Sequence, residues 1–339
     1  MAKVLVTGGL GFIGSHTVVE LVNAGYDPII IDDLSNSNIA ILNQIAKIIG
    51  FKPAFYQFDL CDATALNQFI LKEDNINGII HFAASKAVGE SVDNPLKYYR
   101  NNLYSLVNIL EAYKGKDVSL VFSSSCTVYG QPDELPVTEN APVKPAQSPY
   151  GNTKQISEEI LKDAVAAGSA KKVISLRYFN PVGAHPSALI GELPIGTPQN
   201  LVPFITQSAI GKRGKITVFG DDYNTKDGSC VRDYIHVVDL AKAHIAALNL
   251  LGNGFTGYDV FNLGTGQGST VLEIVNAFEK VTGIKLNYEI GPRRAGDVEQ
   301  VWGDVSKSTK KLNWKTELNI ETMMLSAWEW EKYLAANPL

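Results

Sequence analysis

Two side chains that could exchange a proton stand four residues apart, at Tyr150 and Lys154. Residues with this spacing lie on one face of a helix, so a helix here would bring the phenol and the ammonium together. The reference pKa of a phenol is about 10, and a nearby positive charge favours the phenolate, which is a base. A tyrosine above a solvated lysine also gives this spacing by chance. The pair therefore needs a structural setting before it indicates catalysis.

The stretch before this pair supplies such a setting. Residues 118–123 are mostly apolar and predict a buried strand, which runs into Ser124, Ser125 and Cys126. Ser125 could orient or relay the proton of a reacting hydroxyl group. The strand, its terminal hydroxyls and the following helix together predict an acid–base centre built from Ser125, Tyr150 and Lys154.

A glycine-rich loop near the N-terminus predicts a phosphate-binding site. Gly8, Gly11 and Gly14 lie between a predicted strand at residues 3–7 and a predicted helix at residues 15–24. Glycines let the backbone approach a pyrophosphate, and the amides at a helix N-terminus stabilise its charge. A lone glycine triplet is weak evidence, but the strand before it and the helix after it are the setting that a dinucleotide site requires.

The predicted strand at residues 28–31 ends at Asp32 and Asp33, about twenty residues beyond the glycine loop. A carboxylate there would accept hydrogen bonds from an adenosine ribose and repel a 2′-phosphate, which favours NAD over NADP. The alternative is that Asp32 is a turn or cap residue.

Strands and helices continue to alternate along the first half of the chain. Strands are predicted at residues 54–58, 78–82 and 172–177, and helices at 63–71 and 94–113. This pattern predicts an α/β fold with a doubly wound parallel sheet of the Rossmann type. Asp59, Leu60 and residues 82–86 follow strands, where a dinucleotide would lie. From its position alone, Lys86 could equally be an ordinary surface lysine.

The second half of the chain is less regular. Residues 181–232 are rich in Gly and Pro, with a predicted helix at 202–211 and a predicted strand at 215–219. We expect an NAD-binding domain at 1–180 and a smaller, mostly α+β substrate-binding domain at 181–339. A segment around 232–265 is expected to return to the main sheet.

Composition restricts the class of protein. The chain has 339 residues, of which 45% are hydrophobic, and a net charge of −5, with no basic run that would favour nucleic acid or an anionic membrane surface. We expect a soluble cytoplasmic protein, because we find no membrane-length apolar stretch or signal peptide and because the three cysteines suit reduced thiols. The five histidines are scattered, so no metal site is expected.

Seven motifs together resemble the UDP-glucose 4-epimerase family of the extended short-chain dehydrogenase/reductases, over nearly the whole chain. They are Thr7-Gly-Gly-x-Gly-Phe-Ile-Gly14, His81-Phe-Ala-Ala-x-Lys-Ala-Val-Gly-Glu-Ser91, Ser123-Ser-Ser-Cys-Thr-Val-Tyr-Gly130, Ser148-Pro-Tyr-Gly-Asn-Thr-Lys154, Arg177-Tyr-Phe-Asn-Pro-Val-Gly-Ala-His-Pro186, Asp227-Gly-x-x-Val-Arg-Asp-Tyr-Ile-His-Val237 and Arg293-Arg-x-Gly-Asp297. The first and fourth occur throughout the superfamily, whereas the later ones are more specific. Cys126 and Thr217 depart from the small residues that we would expect at their positions.

The resemblance implies the residues of each site. Ser125, Tyr150 and Lys154 are implied to be catalytic. The implied NAD-binding residues are Gly8, Gly11, Phe12, Ile13, Gly14, Asp32, Asp33, Asn36, Ser37, Asp59, Leu60, Phe82, Ala83, Ala84, Lys86, Asn101, Ser125, Tyr150, Lys154 and Phe179. The implied UDP-sugar-binding residues are Lys86, Ser125, Tyr150, Asn180, Asn200, Leu201, Thr217, Val218, Phe219, Arg232, Arg294, Asp297 and Val301.

The resemblance also implies a reaction and an assembly. Tyr150 would take the proton of the C4 hydroxyl of a UDP-hexose while NAD is reduced, giving a 4-keto sugar that turns over and is reduced on its other face. A homodimer through the long helices is implied. Val301 stands where some relatives carry tyrosine, which predicts room for UDP-N-acetylglucosamine and UDP-N-acetylgalactosamine, unless neighbouring residues fill the space.

Two other functions remain to be distinguished. A nucleotide-sugar 4,6-dehydratase or decarboxylase would share the scaffold, but that family carries carboxylates after the catalytic hydroxyl, where this chain has Cys126 and Thr127. A non-catalytic dinucleotide-binding regulator would not need an aligned Ser125, Tyr150 and Lys154.

Several residues have an ordinary structural interpretation. Arg232 and Arg294 could bind phosphate oxygens, although a single arginine more often forms a salt bridge. His185 and His236 are expected to be packed and hydrogen bonded, and Trp302, Trp328 and Trp330 are expected in the core.

Overall fold

The computed structural model describes residues 1–294 and 298–339. The strands are β1 (Lys3–Thr7), β2 (Asp27–Ile31), β3 (Ala54–Tyr56), β4 (Ile76–His81), β5 (Ser119–Ser125), β6 (Lys172–Tyr178), β7 (Asn180–Val182), β8 (Ile216–Phe219), β9 (Val231–Arg232), β10 (Tyr234–His236), β11 (Gly257–Leu263), β12 (Ser269–Thr270), β13 (Tyr288–Gly291) and β14 (Gln300–Val301). The helices are α1 (Phe12–Asn23), α2 (Ala40–Ile49), α3 (Ala63–Lys72), α4 (Val88–Asp93), α5 (Pro95–Ala112), α6 (Pro149–Ala166), α7 (Leu201–Ala209), α8 (Val237–Gly252), α9 (Val271–Thr282), α10 (Ser306–Leu312) and α11 (Ile320–Ala336).

Seven parallel strands form the central sheet, in the order β11-β6-β5-β4-β1-β2-β3. The order reverses between β1 and β4, and in open α/β sheets ligands bind beyond the carboxyl ends of the strands at such a point. The turns after β1 and β4 meet there, since a Cβ added to Gly8 would lie 2.9 Å from Ala83 N. The predicted doubly wound α/β fold is confirmed.

Alternate residues of the strands supply two hydrophobic layers. Val4 and Val6 of β1 pack on the face that α1 and α8 cover, whereas Leu5 packs on the face of α3, α5 and α6. Full burial of each such side chain contributes about 1.5–3 kcal/mol, so both faces of the sheet must be covered by helices. The sheet is therefore a rigid base for the loops at its carboxyl edge.

The residues after β6 form smaller sheets against three helices. β8 pairs with β13 in parallel, and β9 pairs with β12 and β14. α7, α9 and α11 share a hydrophobic cluster that includes Ile205, Phe278 and Met323. The chain returns to the main sheet when β11 pairs with β6.

The structure corrects several predicted boundaries. β5 extends to Ser125, two residues beyond the predicted strand, because Ser124 and Ser125 still pair with Arg177 and Tyr178 of β6. β3 ends at Tyr56, earlier than predicted. Helices α2, α4, α9 and α10 lie in stretches without a predicted element. No helix in the described part of the chain combines the length and apolar character that crossing a bilayer requires.

Candidate active site

Helix α6 begins at the residues that place the tyrosine. Ser148 is the N-cap, and its hydroxyl accepts a hydrogen bond from Gly151 N at 3.1 Å. Pro149 is the first helical residue, where its missing N–H costs nothing and its fixed φ suits the helix. Tyr150 therefore lies in the first turn of α6, and Lys154 follows one turn later.

Tyr150 and Lys154 are buried at the carboxyl end of β5. Their exposed fractions are 7% and 4%, and that of Ser125 is 6%. Lys154 Nζ donates a hydrogen bond to the main-chain oxygen of Ser123 at 2.7 Å and lies 5.9 Å from the centre of the Tyr150 ring. The three residues that the sequence singles out are thus close together in the fold.

Burial, and not the ammonium, dominates the titration of these groups. Burial raises the pKa of the Tyr150 phenol, and the hydroxyl of Ser125 opposes this only in part. Burial also lowers the pKa of Lys154 to about 8. In the protein alone the neighbouring ammonium does not offset the effect of burial on the pKa of Tyr150, because desolvation disfavours both charged forms. A phenolate here needs a further positive charge.

The glycine loop has the close approaches that a dinucleotide site needs. Gly8 has a φ of +68°, which disfavours other residues. A Cβ at Gly14 would lie 2.2 Å from Gly8 O, so a larger residue would push α1 off the loop. The N-cap of α1 is Gly11, which has no side chain to occupy the first amides of the helix. These amides are suited to a pyrophosphate, with Phe12 and Ile13 half-buried beside them.

Asp32 is held in one orientation at the end of β2. One carboxylate oxygen accepts from Leu10 N at 3.0 Å, and the other accepts from Leu34 N at 3.0 Å and Ser37 Oγ at 2.7 Å. It is 7% exposed, and burial raises its pKa while these donors lower it. Asp33 is exposed and binds Ser35, and Asn36 is exposed next to it. A buried, oriented acid close to the glycine loop fits a ribose hydroxyl.

The loops after β3 and β4 carry the other residues of the predicted cofactor site. Leu60 is buried in the core, and Asp59 accepts from Cys61 N at 2.8 Å. Phe82 packs on His244, and Ala83 and Ala84 are half-buried. Asn101 donates to Ser85 Oγ at 3.2 Å.

Asn102, which sequence reasoning missed, fixes the loop after β4 to two helices. Its amide oxygen accepts from Ser85 N at 2.8 Å, and its amide nitrogen donates to Ser85 O and Thr153 Oγ1 at 3.0 Å each. Asn102 is 3% exposed. It ties α5, α6 and the β4 loop together, and the pair Asn101-Asn102 in the sequence was the available signal.

Glu192, also missed, joins two residues predicted at the sugar. It forms an ion pair with Lys86 Nζ at 3.7 Å and accepts from Asn200 Nδ2 at 2.6 Å. Asn200 occupies the N-cap position of α7, which begins at Leu201, but its side chain makes no capping hydrogen bond. The single Glu in an irregular loop gave no signal in the sequence, because the contact spans two distant segments.

Three of the predicted UDP-sugar-binding residues, Thr217, Val218 and Phe219, lie on β8, which pairs with β13. Val218 is buried, Thr217 is half-buried, and Phe219 is 40% exposed with the Arg294 guanidinium 5.6 Å from its ring centre. Arg232 of β9 pairs in register with Val301 of β14. Asp297 lies outside the described residues.

Val301 and Phe179 belong to one hydrophobic cluster with Val128, Tyr129 and Val137, and Cys126 packs against it. Val301 is 7% exposed and Phe179 is 5% exposed. Asn180, next to Phe179, donates its N–H to Asp233 O at 2.9 Å. This cluster continues from the residue after Ser125 to the strand that carries Val301.

The residues with an ordinary structural interpretation are placed in part as expected. His236 is 1% exposed, accepts from Val238 N and contacts Ser326, whereas His185 is half-buried. Trp330 is buried, Trp328 is half-buried and packs edge-on against the core residue Phe278, and Trp302 is half-buried. Within residues 1–294 and 298–339, we find no group of His, Cys, Asp and Glu that could hold a metal ion.

Comparisons with known proteins cover nearly the whole chain. The family model described as GDP-mannose 4,6 dehydratase matches residues 5–326. UDP-glucose 4-epimerase 2 of Arabidopsis thaliana is 50% identical, over 97% of this chain and 95% of that protein.

Two solved structures extend the similarity to the fold. UDP-glucose 4-epimerase of Stenotrophomonas maltophila, with bound NAD and formylated UDP-arabinopyranose, is 44% identical, covers 99% of both chains and has a TM-score of 0.95. UDP-glucose 4-epimerase of Bifidobacterium longum, in complex with NAD+ and UDP, is 46% identical, covers 99% of both chains and has a TM-score of 0.93.

Proposed function

The chain belongs to the UDP-glucose 4-epimerase family, and from this premise we propose how its own residues carry out the family's reaction. The protein is an enzyme that epimerises a UDP-hexose at C4 and depends on NAD. The observation that supports the assignment of residues is the meeting of Ser125, Tyr150 and Lys154 at the carboxyl edge of the sheet, the same edge that carries the glycine loop and Asp32.

The residues around the glycine loop fit the cofactor. Gly8, Gly11 and Gly14 leave room for a pyrophosphate at the N-terminus of α1, and Asp32 would accept from a ribose hydroxyl. Bound NAD supplies a reversible oxidation at C4 and a positive nicotinamide charge, and is regenerated in each cycle.

Tyr150 is proposed to take the proton from the C4 hydroxyl and to return it after the 4-keto sugar has turned over. Ser125 orients that hydroxyl. Lys154 holds a positive charge 5.9 Å from the Tyr150 ring and is fixed by Ser123 O. Burial excludes water from these three groups, which strengthens the interaction of the ammonium with a phenolate.

The UDP moiety is proposed to carry most of the binding energy, through Phe219, Arg232 and Arg294. The sugar must turn between two orientations, so strong contacts to it in either orientation would slow the reaction. Lys86 and Asn200 are the residues that we place near the sugar, and both are exposed.

Incubation with UDP-galactose and chromatographic analysis of the products tests this function. We expect UDP-glucose to form without added NAD. Mass spectrometry should show no loss of water from the sugar, because Cys126 and Thr127 cannot act as general acids for dehydration; burial raises the pKa of the Cys126 thiol to about 12. A 4-keto-6-deoxy product would instead identify a dehydratase, the activity after which the matching family model is named.

A non-catalytic regulator is distinguished by the absorbance of bound cofactor. Addition of a UDP-sugar should produce the near-ultraviolet band of reduced nicotinamide in a fraction of the enzyme. If neither this band nor a product appears, although NAD and UDP bind, the protein is a binding module and the proposed catalytic roles are wrong.

We further propose that the enzyme accepts UDP-N-acetylglucosamine and UDP-N-acetylgalactosamine. The support is Val301, which is smaller than the tyrosine of some relatives and lies in one cluster with Cys126 and Phe179. Steric overlap with an acetamido group would be hard to offset by other contacts. The burial of Val301 leaves the alternative that its neighbours fill the space.

Val301→Tyr tests this specificity. We expect the wild type to convert both pairs of sugars and Val301→Tyr to lose the N-acetylated pair alone, in assays of each substrate. Val137→Ile, in the same cluster, is a control for a general change of packing. A wild type that is inactive on N-acetylated sugars would refute the proposal.

A homodimer is proposed through the outer face of α5. Leu96 is 78% exposed and Tyr104 is 57% exposed on this helix, which packs beside α6. Burial of such apolar side chains in an interface is favourable. Sedimentation should show the wild type as a dimer. Tyr104→Glu should dimerise more weakly.

The division into domains and the compartment are also proposals. Residues 1–180 with the segment around 232–265 would form the NAD-binding domain, since α8 packs on α1 and β11 joins the sheet. The rest of 181–339 would bind the UDP-sugar. Cys61, Cys126 and Cys230 are free thiols, which suits a reducing compartment such as the cytoplasm.

A further inference from the structure

Three consecutive residues at the end of β5 are bound to three residues of α6 that lie one turn apart. Ser125 faces the Tyr150 phenol, and Ser123 O accepts from Lys154 Nζ at 2.7 Å. Ser124 Oγ donates to Glu158 Oε1 at 2.6 Å. The spacing of four residues continues from Tyr150 through Lys154 to Glu158. The proposed reaction uses the contacts of Tyr150 and Lys154, but it gives no role to the contact between Ser124 and Glu158.

Glu158 is fixed from the sheet as well as from the helix. Arg177 Nε donates to Glu158 Oε1 at 2.9 Å, and Arg177 Nη2 donates to the other oxygen. Arg177 of β6 is the register partner of Ser124 of β5, so both side chains reach the same carboxylate from neighbouring strands. The side chains of Glu158 and Arg177 are 4% and 3% exposed.

A buried ion pair of this kind is weak evidence for a role in stability. The loss of hydration of two charges is expensive, and well-packed apolar residues often replace such a pair without loss of stability. Here the pair lies directly behind the strand end that carries Ser125, on the helix that carries Tyr150 and Lys154. Its position connects it to the geometry of the acid–base centre.

We propose that Glu158 is a positioning residue for the acid–base centre: it ties the end of β5 to α6 and places a negative charge one helical turn from the Lys154 ammonium. This inference rests on the proposed function of Tyr150 and Lys154. Glu158 acts through these residues and Ser124, and does not contact the substrate.

The charge of Lys154 depends on few neighbours. Burial lowers the pKa of Lys154 to about 8, and Glu158 opposes this shift. Other titratable groups face the centre from β4, β6, α5 and the turn after β5, namely His81, Tyr178, Tyr98 and Cys126. Burial lowers the pKa of His81 to about 3 and raises those of Tyr178 and Cys126 to about 12, and it also raises that of Tyr98, so all four are neutral near pH 7. Among the described residues, Arg177 adds a positive charge that Glu158 itself pairs.

Glu158→Gln tests the role of the charge. The measurement is the pH dependence of kcat for UDP-galactose in the NAD-containing enzyme. Activity should fall at high pH when Lys154 loses its proton, and the loss of Glu158 should move this alkaline limb ~1 pH unit lower, the lower end of the shift that a close opposite charge causes. KM should stay within about twofold, because the UDP contacts are remote from Glu158.

Glu331→Gln is the matched control. Glu331 is also a buried carboxylate, 3% exposed, that accepts from a lysine, Lys212 Nζ at 2.8 Å, and from the hydroxyl of Thr206 at 3.3 Å. It lies on α11, so its replacement should lower stability in a similar way and leave the pH profile in place. If kcat of Glu158→Gln and kcat of Glu331→Gln fall at the same high pH, the proposed effect of the Glu158 charge on Lys154 is wrong.

Ser124→Ala and Glu158→Asp test the positioning role, and Ser124→Ala keeps all charges if Glu158→Gln fails to fold. Both should lower kcat by about tenfold, since a small misplacement of reacting groups is costly, with the alkaline limb unmoved. Wild-type kcat in Ser124→Ala would overturn the tie between β5 and α6.

The two levels of inference fail separately. A wild type that neither epimerises UDP-galactose nor reduces its bound cofactor would contradict the proposed function. An active wild type whose pH profile and kcat are insensitive to Glu158 and Ser124 would contradict this inference alone.

Discussion

The acid–base centre and the UDP-sugar side differ in how firmly their residues are held. Ser125, Tyr150 and Lys154 are at most 7% exposed, and the strand behind them is bound to α6 at successive residues. On the sugar side, the Lys86 side chain is 51% exposed and Phe219 is 40% exposed. One region lies on the seven-stranded sheet, and the other lies on loops and on small sheets of two and three strands.

This difference fits the demands of the two tasks. Proton transfer needs donor and acceptor at a fixed distance, which packed elements of the sheet provide. The proposed turning of the keto sugar needs room and exchangeable contacts, which exposed side chains provide. Substitutions in the centre should therefore act on kcat, and substitutions on the sugar side should act on KM.

The largest effect is expected from Tyr150→Phe, which removes the proposed base. We expect kcat to fall at least ~10²-fold, the usual contribution of general acid–base catalysis, with NAD still bound. Measurement of kcat and of cofactor in denatured extracts checks this result. Tyr258→Phe is the control, since it removes the hydroxyl of a half-buried tyrosine that donates to Ser175 Oγ at 3.0 Å. Near-normal turnover in Tyr150→Phe would contradict the proposed role of Tyr150, and with it the contrast between the acid–base centre and the UDP-sugar side.

Asp32→Asn should weaken cofactor retention about tenfold, because a charged acceptor to a ribose hydroxyl is lost. The wild type should purify with NAD and without NADP. Asp27→Asn alters an acid at the amino end of the same strand, β2, and should retain the cofactor. An enzymatic assay of denatured extracts measures the NAD and NADP content of each variant. NADP in the wild type would contradict the proposed role of Asp32.

Arg294→Ala should raise KM for UDP-galactose about fivefold with kcat nearly unchanged, because it removes a proposed phosphate contact made before and during the reaction. Arg293→Ala is the matched control, since Arg293 is bound to Asp222 at 2.7 Å. A fall of kcat with constant KM in Arg294→Ala would contradict the division between the two regions.

The smallest effect on catalysis is expected where a substitution changes only the stability of the packed region. His244 is fully buried against Phe82, and burial lowers its pKa to about 4, below the ordinary value near 6.5. A lowered folded-state pKa gives stability above pH 6.5 that is lost as pH falls towards 4, at up to ~1.4 kcal/mol per pH unit. His244→Phe should lose less stability over this range, whereas the half-buried His185→Gln should change the profile less. Urea unfolding at several pH values measures the difference, and parallel profiles for wild type and His244→Phe would contradict it.

The sequence determined the α/β class and most strands of the main sheet, because apolar runs and glycine turns are local features. β1 was predicted at its observed bounds, and the return of the chain at β11 was expected. The end of β5 was not predicted at its observed position, since Ser124 and Ser125 are polar and their strand conformation depends on pairing with β6. The candidate residues Tyr150 and Lys154 could be found because their spacing within one helix is itself a signal.

Tertiary structure decided the contacts between residues that are distant in the sequence, and the burial that follows from those contacts. The contacts of Glu158 with Ser124 and Arg177, and of Glu192 with Lys86 and Asn200, join residues between eight and more than one hundred positions apart. The net pKa of Tyr150 also depended on burial, which the spacing to Lys154 could not reveal. Local pattern fixes which elements form and which side chains share a face, whereas desolvation and cross-strand contacts arise only when those elements pack.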